Sequence, residues 1–85
     1  MSDAFAQAQI DVKTITKRPG NDDLLFLYTH FKQATTGDVS GKRPGMLDMV
    51  GRAKYDAWVK IKGMDKETAK QKYIEKVQSL LKTHK

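Results

Sequence analysis

Eighty-five residues, 39% of them hydrophobic and none of them cysteine, are expected to form one small domain held by apolar burial alone, without a disulfide framework, a thiolate nucleophile or a tetrathiolate zinc site. Sixteen basic against ten acidic residues leave a net charge of +6, which favours encounter with an anion but does not choose among nucleic acid, anionic lipid and a phosphorylated metabolite. No apolar run approaches the roughly 20 residues that span a bilayer, and no basic segment followed by a hydrophobic stretch opens the chain, so neither anchor nor signal peptide is expected and the localisation expected is cytoplasmic.

Ser2 and Asp3 are candidate caps for a first helix in which Phe5, Ala8, Val12 and Ile15 recur at three and four. Lys17 and Arg18 suit its C-terminus, and Pro19-Gly20 stops it. Asn21 is the expected N-cap of a second helix, with Asp22 and Asp23 matched to its dipole and Gly37 closing it. Leu24, Leu27, Phe31 and Ala34 share one face of this helix, with Leu25, Tyr28 and Lys32 on a strip beside it. From Asp38 to about Asp48, Gly41, Pro44 and Gly45 among polar residues predict a loop of about ten residues, long enough to let two helices run parallel.

A third helix is expected over roughly Met49 to Lys62, closed by Gly63, with Val50, Ala53, Ala57, Trp58 and Ile61 on its apolar face. Asp65 caps a fourth, in which Ala69, Tyr73, Val77 and Leu80 align and Lys82, His84 and Lys85 match the C-terminal dipole. With no strand alternation, repeat or low-complexity segment, the class is all-α: a four-helix bundle with one long connection between helices 2 and 3.

Lys54 falls in the middle of the third helix's apolar arc, where a charge needs a reason. Either its methylene stem carries the ammonium out to water, or the desolvation is offset by a ligand; the pattern leaves both open. Tyr28 and Lys32 lie one helical turn apart, and with Phe31 they put rings and an ammonium at a core edge, suited to stacking a flat ring and neutralising an anion. Spacing alone nonetheless favours an ordinary half-buried tyrosine beside a solvated lysine. Tyr73 reads as a core aromatic and Lys13 as unremarkable, while Tyr55 and Trp58 read as packing between helices.

Chemistry is not visible. His30 and His84 pair with no nucleophile and no metal-ligand spacing, Asp22 and Asp23 are explained as helix-start acids, and no glycine-rich phosphate loop occurs, so neither catalytic residues nor a metal site are expected. The basic residues are scattered apart from Lys17-Arg18, Lys42-Arg43 and Lys60 with Lys62, which argues against a nucleic-acid arm.

Tyr28-x-x-Phe31-Lys32-Gln33-Ala34-Thr35-x-Gly37-Asp38, followed by Arg43-Pro44-Gly45 and by Gly51-Arg52-Ala53-Lys54-Tyr55-Asp56-Ala57-Trp58, resembles the signature of the acyl-CoA-binding protein family, also called diazepam-binding inhibitor. The likeness runs from Phe5 to the C-terminus without an evident gap. It implies a four-helix fold with a long second connection, and a carrier and pool former for long-chain fatty acyl-CoA esters that performs no reaction and needs no cofactor besides that ligand. It also implies that Lys54 and Lys32 hold the 3'-phosphate of the coenzyme, that Tyr28 and Phe31 offer aromatic surface to adenine, that Tyr73 contacts the nucleotide end, and that Lys13 approaches the coenzyme. Leu25 and Phe26 would leave surface for the acyl tail. Transient contact with acyl-CoA-using enzymes or membranes, no nucleic acid and a monomeric state complete the expectation. Two positions depart from the family's usual residues, Phe31 where tyrosine is common and Tyr55 where tryptophan is usual. The competing reading is a basic peripheral module for lipid or polyanion surfaces, driven by the net charge.

Overall fold

A computed structural model describes residues 3–83; the expectations for Ser2, His84 and Lys85 lie outside the described residues. Asp3 caps the first helix, its carboxylate accepting from the Ala6 amide at 3.0 Å. This helix, α1, spans Ala4–Val12, three residues short of the expected Ile15. Thr14 ends it: its amide and its hydroxyl both donate to the Asp11 carbonyl, at 3.0 and 2.6 Å, in a β-branched run that gives up the helical ladder. Ile15 still packs against the core from the turn that follows.

α2 covers Asn21–Thr35, with Gly20 rather than Asn21 at its N-cap and no side-chain cap bond. Asp22 and Asp23 do occupy its first turn, and Asp23 is tied to Lys76 of the fourth helix at 2.6 Å. At its other end the amides of Thr36 and Gly37 both donate to the Lys32 carbonyl. The chain then turns away through Gly37 at φ 99°, a left-handed conformation that favours glycine.

After residues 36–48, α3 runs over Met49–Val59, capped by Asp48, whose carboxylate accepts from the Gly51 amide at 2.9 Å. A β-carbon at Gly51 would collide with that carboxylate, so the glycine and the cap depend on each other. α3 ends before the expected Lys62, unwinding through tight turns from Lys60 to a left-handed Gly63. Asp65 precedes α4, Lys66–Thr83, and accepts from both the amide and the hydroxyl of Thr68.

The described residues thus form four helices and no strand. α4 packs against α1 and α2, and α3 packs against α2 alone. The core joins Ala8 of α1, Leu27 of α2, and Tyr73, Val77 and Leu80 of α4, with Phe5, Val12 and Phe31 packed around them. Pairings that rise together, Tyr28 with Lys54 and Lys32 with Trp58, make α2 and α3 parallel. Asp23 with Lys76 and Phe31 with Tyr73 make α2 and α4 antiparallel.

Because no helix but α2 packs on α3 among the described residues, its expected apolar face is not a core face along its length. Trp58 is buried, whereas Val50 is 67% exposed. Phe26 remains half-buried: its ring stacks on His30 at 3.9 Å between centroids beneath the Lys76 ammonium, and with Leu25 it lines an open cleft that reaches Ala57 and Ile61.

A buried polar hub replaces apolar packing where α2, the loop and the end of α3 meet. Gln33, 1% exposed, accepts from the Trp58 indole at 2.9 Å and donates to the Met64 carbonyl at 2.7 Å and to Asp38 at 2.8 Å. Asp38 also accepts from the Gly63 amide, and these hydrogen bonds to its charged form hold its carboxyl below the usual carboxylate range. The Trp58 indole reaches the Gly37 carbonyl too, at 3.1 Å. Every partner in this hub is satisfied, as a buried network requires.

Candidate functional site

Parallel helices meeting only along one side leave a groove between the N-terminal halves of α2 and α3, of about 610 Å³. That falls within the roughly 300–1,000 Å³ of small-molecule sites. Leu24 and Leu25 of α2 and Met49, Val50 and Ala53 of α3 give it apolar walls. Tyr28 and Lys54 stand on it together, and Arg18, from the segment before α2, is the second cation on its lining. A surface of this kind suits an elongated apolar group carrying an anionic end.

The Lys54 ammonium lies 4.9 Å from the centroid of the Tyr28 ring. One turn further along both helices the roles exchange, with the Lys32 ammonium of α2 lying 5.5 Å from the Trp58 ring of α3. The four residues form a short ladder in which each lysine rests on the aromatic residue of the other helix. Such contacts are each worth roughly 0.5–1 kcal/mol when exposed and more when desolvated. Both lysines are half-buried, and neither makes an ion pair among the described residues.

The other expected site residues lie elsewhere. Phe31 stacks on Phe5 at 6.0 Å and tilts against Tyr73 at 6.2 Å, on the side of α2 that faces α1 and α4 rather than on the groove. Tyr73 is 6% exposed, and burial pushes its phenol above the ordinary tyrosine value. Its hydroxyl has no hydrogen-bond partner among the described residues and is not sealed from solvent. Lys13 is the exposed C-cap of α1 and does not line the groove. The geometry therefore brings Tyr28, Lys32 and Lys54 together, sets Phe31 with Tyr73 in a second group, and leaves Lys13 at the rim of α1.

Arg18 was not legible as a groove residue, because its position fitted the C-terminal dipole of a longer first helix. Met49 and Val50 were hidden by the assumption that an apolar helix face is a core face. Tyr55, expected to pack between helices, instead donates from its hydroxyl to the Gly41 carbonyl at 2.9 Å and holds the loop to α3. Arg43 does the same, forking onto Asp56 at 2.8 and 2.6 Å. That pair draws the Asp56 carboxyl down and the Arg43 guanidinium up from their ordinary values.

His30 is buried and faces away from the groove, donating from Nδ1 to the Phe26 carbonyl at 2.7 Å. Burial holds its imidazole below the ordinary histidine value, outweighing that hydrogen bond, and Lys72 adds to the depression. No group of three metal-ligating side chains occurs among the described residues, and no described helix is long and apolar enough to cross a membrane.

The family model described as "Acyl CoA binding protein" matches residues 2–77. An acyl-CoA-binding protein homolog of Drosophila melanogaster is 47% identical over 81 residues, covering 95% of this chain and 94% of the relative. The acyl-CoA-binding protein of Brassica napus is 44% identical, covering 95% of this chain and 88% of its own length. Among solved structures, that of Oryza sativa acyl-CoA-binding protein 2 superposes with a TM-score of 0.88 at 40% identity, over 93% of this chain and 86% of that one. The corresponding Moniliophthora perniciosa protein reaches 0.88 at 44% identity, over 99% of this chain and 84% of that one.

Proposed function

Since the chain belongs to the acyl-CoA-binding protein family, we propose that it binds long-chain fatty acyl-CoA esters in the groove between α2 and α3, with the acyl tail on the apolar walls and the phosphorylated nucleotide at the lysine ladder. The observation that carries the reading is the junction of the two surfaces. Leu25, Val50 and Ala53 pass directly into Tyr28 and Lys54, so one ligand with an apolar and an anionic part spans both.

On this reading the 3'-phosphate draws Lys54 and Lys32 off their aromatic partners, since a dianion outcompetes a ring quadrupole for an ammonium. The face of Tyr28 that Lys54 leaves is then free for adenine. Tyr73 contributes its unpaired hydroxyl to the nucleotide end, Phe31 contributes a ring edge beside it, and Lys13 adds charge at longer range. The family is defined by binding acyl-CoA, and we propose a carrier and pool-forming role in the cytoplasm, as a single-domain monomer, with no reaction and no cofactor besides the ligand.

Calorimetric titration with palmitoyl-CoA beside free palmitate and free CoA tests this. Palmitoyl-CoA is expected to bind far more tightly than either fragment, because only it engages walls and ladder together. Equal affinity for palmitate would make the groove a generic lipid site.

A further inference from the structure

Gly45, Met46, Leu47 and Asp48 form a tight turn just before α3, closed by the Asp48 amide donating to the Gly45 carbonyl at 3.0 Å. Its two central positions, where small or polar residues usually sit, hold large apolar side chains that are 81% and 101% exposed. Neither lines the groove, yet Met49 and Val50, which do, follow at once and are 77% and 67% exposed. Exposed apolar residues therefore lead from the tip of the turn into the groove, interrupted in sequence only by Asp48. Nothing in the fold needs Met46 or Leu47 to be apolar, and such a patch marks an interaction surface.

We propose that this turn is a wedge that docks the protein on an anionic lipid surface and sets the groove's mouth against the membrane. The charges around it select that partner. Residues 42–56 hold Lys42, Arg43, Arg52 and Lys54 against two carboxylates, and both are engaged, Asp48 in capping α3 and Asp56 with Arg43, which leaves Lys42, Arg52 and Lys54 without an ion pair among the described residues. An exposed apolar tip flanked in sequence by cations fits a fluid layer of hydrocarbon beneath anionic headgroups, whereas a protein partner must supply a matching cavity. A second copy is a poor match, because the groove between α2 and α3 carries Arg18 and Lys54, which repel Lys42. The wedge deepens the acyl-CoA reading by placing a membrane at the site where the tail enters and leaves.

Flotation of the full chain with phosphatidylcholine vesicles, with and without about one third phosphatidylserine, tests the proposal on three proteins: wild type, Met46→Asp with Leu47→Asp, and Leu47→Lys. Both substituted side chains are solvent-exposed, and circular dichroism establishes that each variant is folded. Wild type is expected on the anionic vesicles, and the double variant should lose about tenfold or more in partitioning. Leu47→Lys should also weaken binding although it adds a positive charge. Binding of Leu47→Lys equal to or above wild type would reduce the effect to electrostatics and overturn the wedge, as would a wild type that ignores both vesicles. A wild-type dimer in sedimentation equilibrium that both variants dissolve would assign the turn to a second copy, and equally overturn it. Palmitoyl-CoA titration without vesicles should be the same for all three proteins. Loss of that binding in wild type, with the vesicle pattern intact, would refute the acyl-CoA reading while leaving the wedge standing as a membrane anchor.

Discussion

Lys54 loses two opposed contributions when its charge is removed. Lys54→Met gives up the contact with Tyr28, roughly 0.5–1 kcal/mol, and relieves the desolvation of an ammonium on an apolar groove wall. Urea melts should therefore show apo stability within about 1 kcal/mol of wild type, while the stabilisation that palmitoyl-CoA confers on wild type largely disappears. The same residue gives a sharper test in the ligand. Lys54→Ala and removal of the 3'-phosphate should each weaken binding by roughly 1.5–3 kcal/mol, without adding, since both break one charge-assisted contact. Full additivity in that cycle would send Lys54 to another group. His30 titrates below the ordinary histidine value, so between that value and its own the unfolded chain binds the extra proton. The stability it contributes is present above about pH 6.5 and fades as the pH falls through its folded value. His30→Gln keeps a donor for the Phe26 carbonyl but cannot protonate, so its urea midpoint should fall less steeply than wild type's on acidification. Tyr28 and Lys32 were legible because helical spacing puts them on one strip of the second helix, and Lys54 because it is a charge within the apolar arc of the third. That each lysine rests on the opposite helix's ring was not, since it depends on the register of α3 against α2.

Caps and glycines marked where the helices begin and end more reliably than apolar periodicity did. Asp3, Gly37 and Asp65 act at ends that the sequence assigned to them, because each has a local mechanism that needs no tertiary partner, whereas Gly63 turns the chain only after α3 has ended at Val59. α1 and α3 are both shorter than their apolar repeats: Ile15 reaches the core from a turn rather than from helix, and Ile61 lines an open cleft beside Leu25 and Ala57 from the turns after α3. The hub around Gln33 was invisible, as no spacing rule links a glutamine to a tryptophan on another helix. It is also the costliest place to disturb at this scale. Gln33→Leu strands the Met64 carbonyl, takes a donor from Asp38 and leaves the Trp58 indole with the Gly37 carbonyl alone, and equilibrium unfolding should register a loss of about 2–4 kcal/mol. Tyr55→Phe removes only the bond to Gly41 from an exposed loop. Limited proteolysis should cut residues 36–48 faster in this variant, with the urea midpoint nearly unchanged.

Across the molecule, α1, α2 and α4 share a core and α3 is attached to it through α2 alone. Amides of α3 should therefore exchange with solvent at a lower free energy than those of α2 and α4. Palmitoyl-CoA, which on the proposed reading bridges α2 and α3, should raise protection most in α3, and hydrogen exchange followed by mass spectrometry reads both effects. The four-helix class and the long second connection could be seen in the sequence from punctuation alone, but the separate status of α3 could not, because its apolar residues look the same whether they face a core or a groove. The parallel arrangement has one more consequence. To return from Thr36 to the level of Leu24, the chain retraces about 18 Å of α2, a distance that about six extended residues would cover. Residues 36–48 exceed that need, and the surplus is more than enough for the four-residue turn carrying Met46 and Leu47. The tip is thus free to diverge by insertion, deletion or outright replacement, so that one unchanged scaffold can be readdressed to a different surface by exchanging a four-residue cassette.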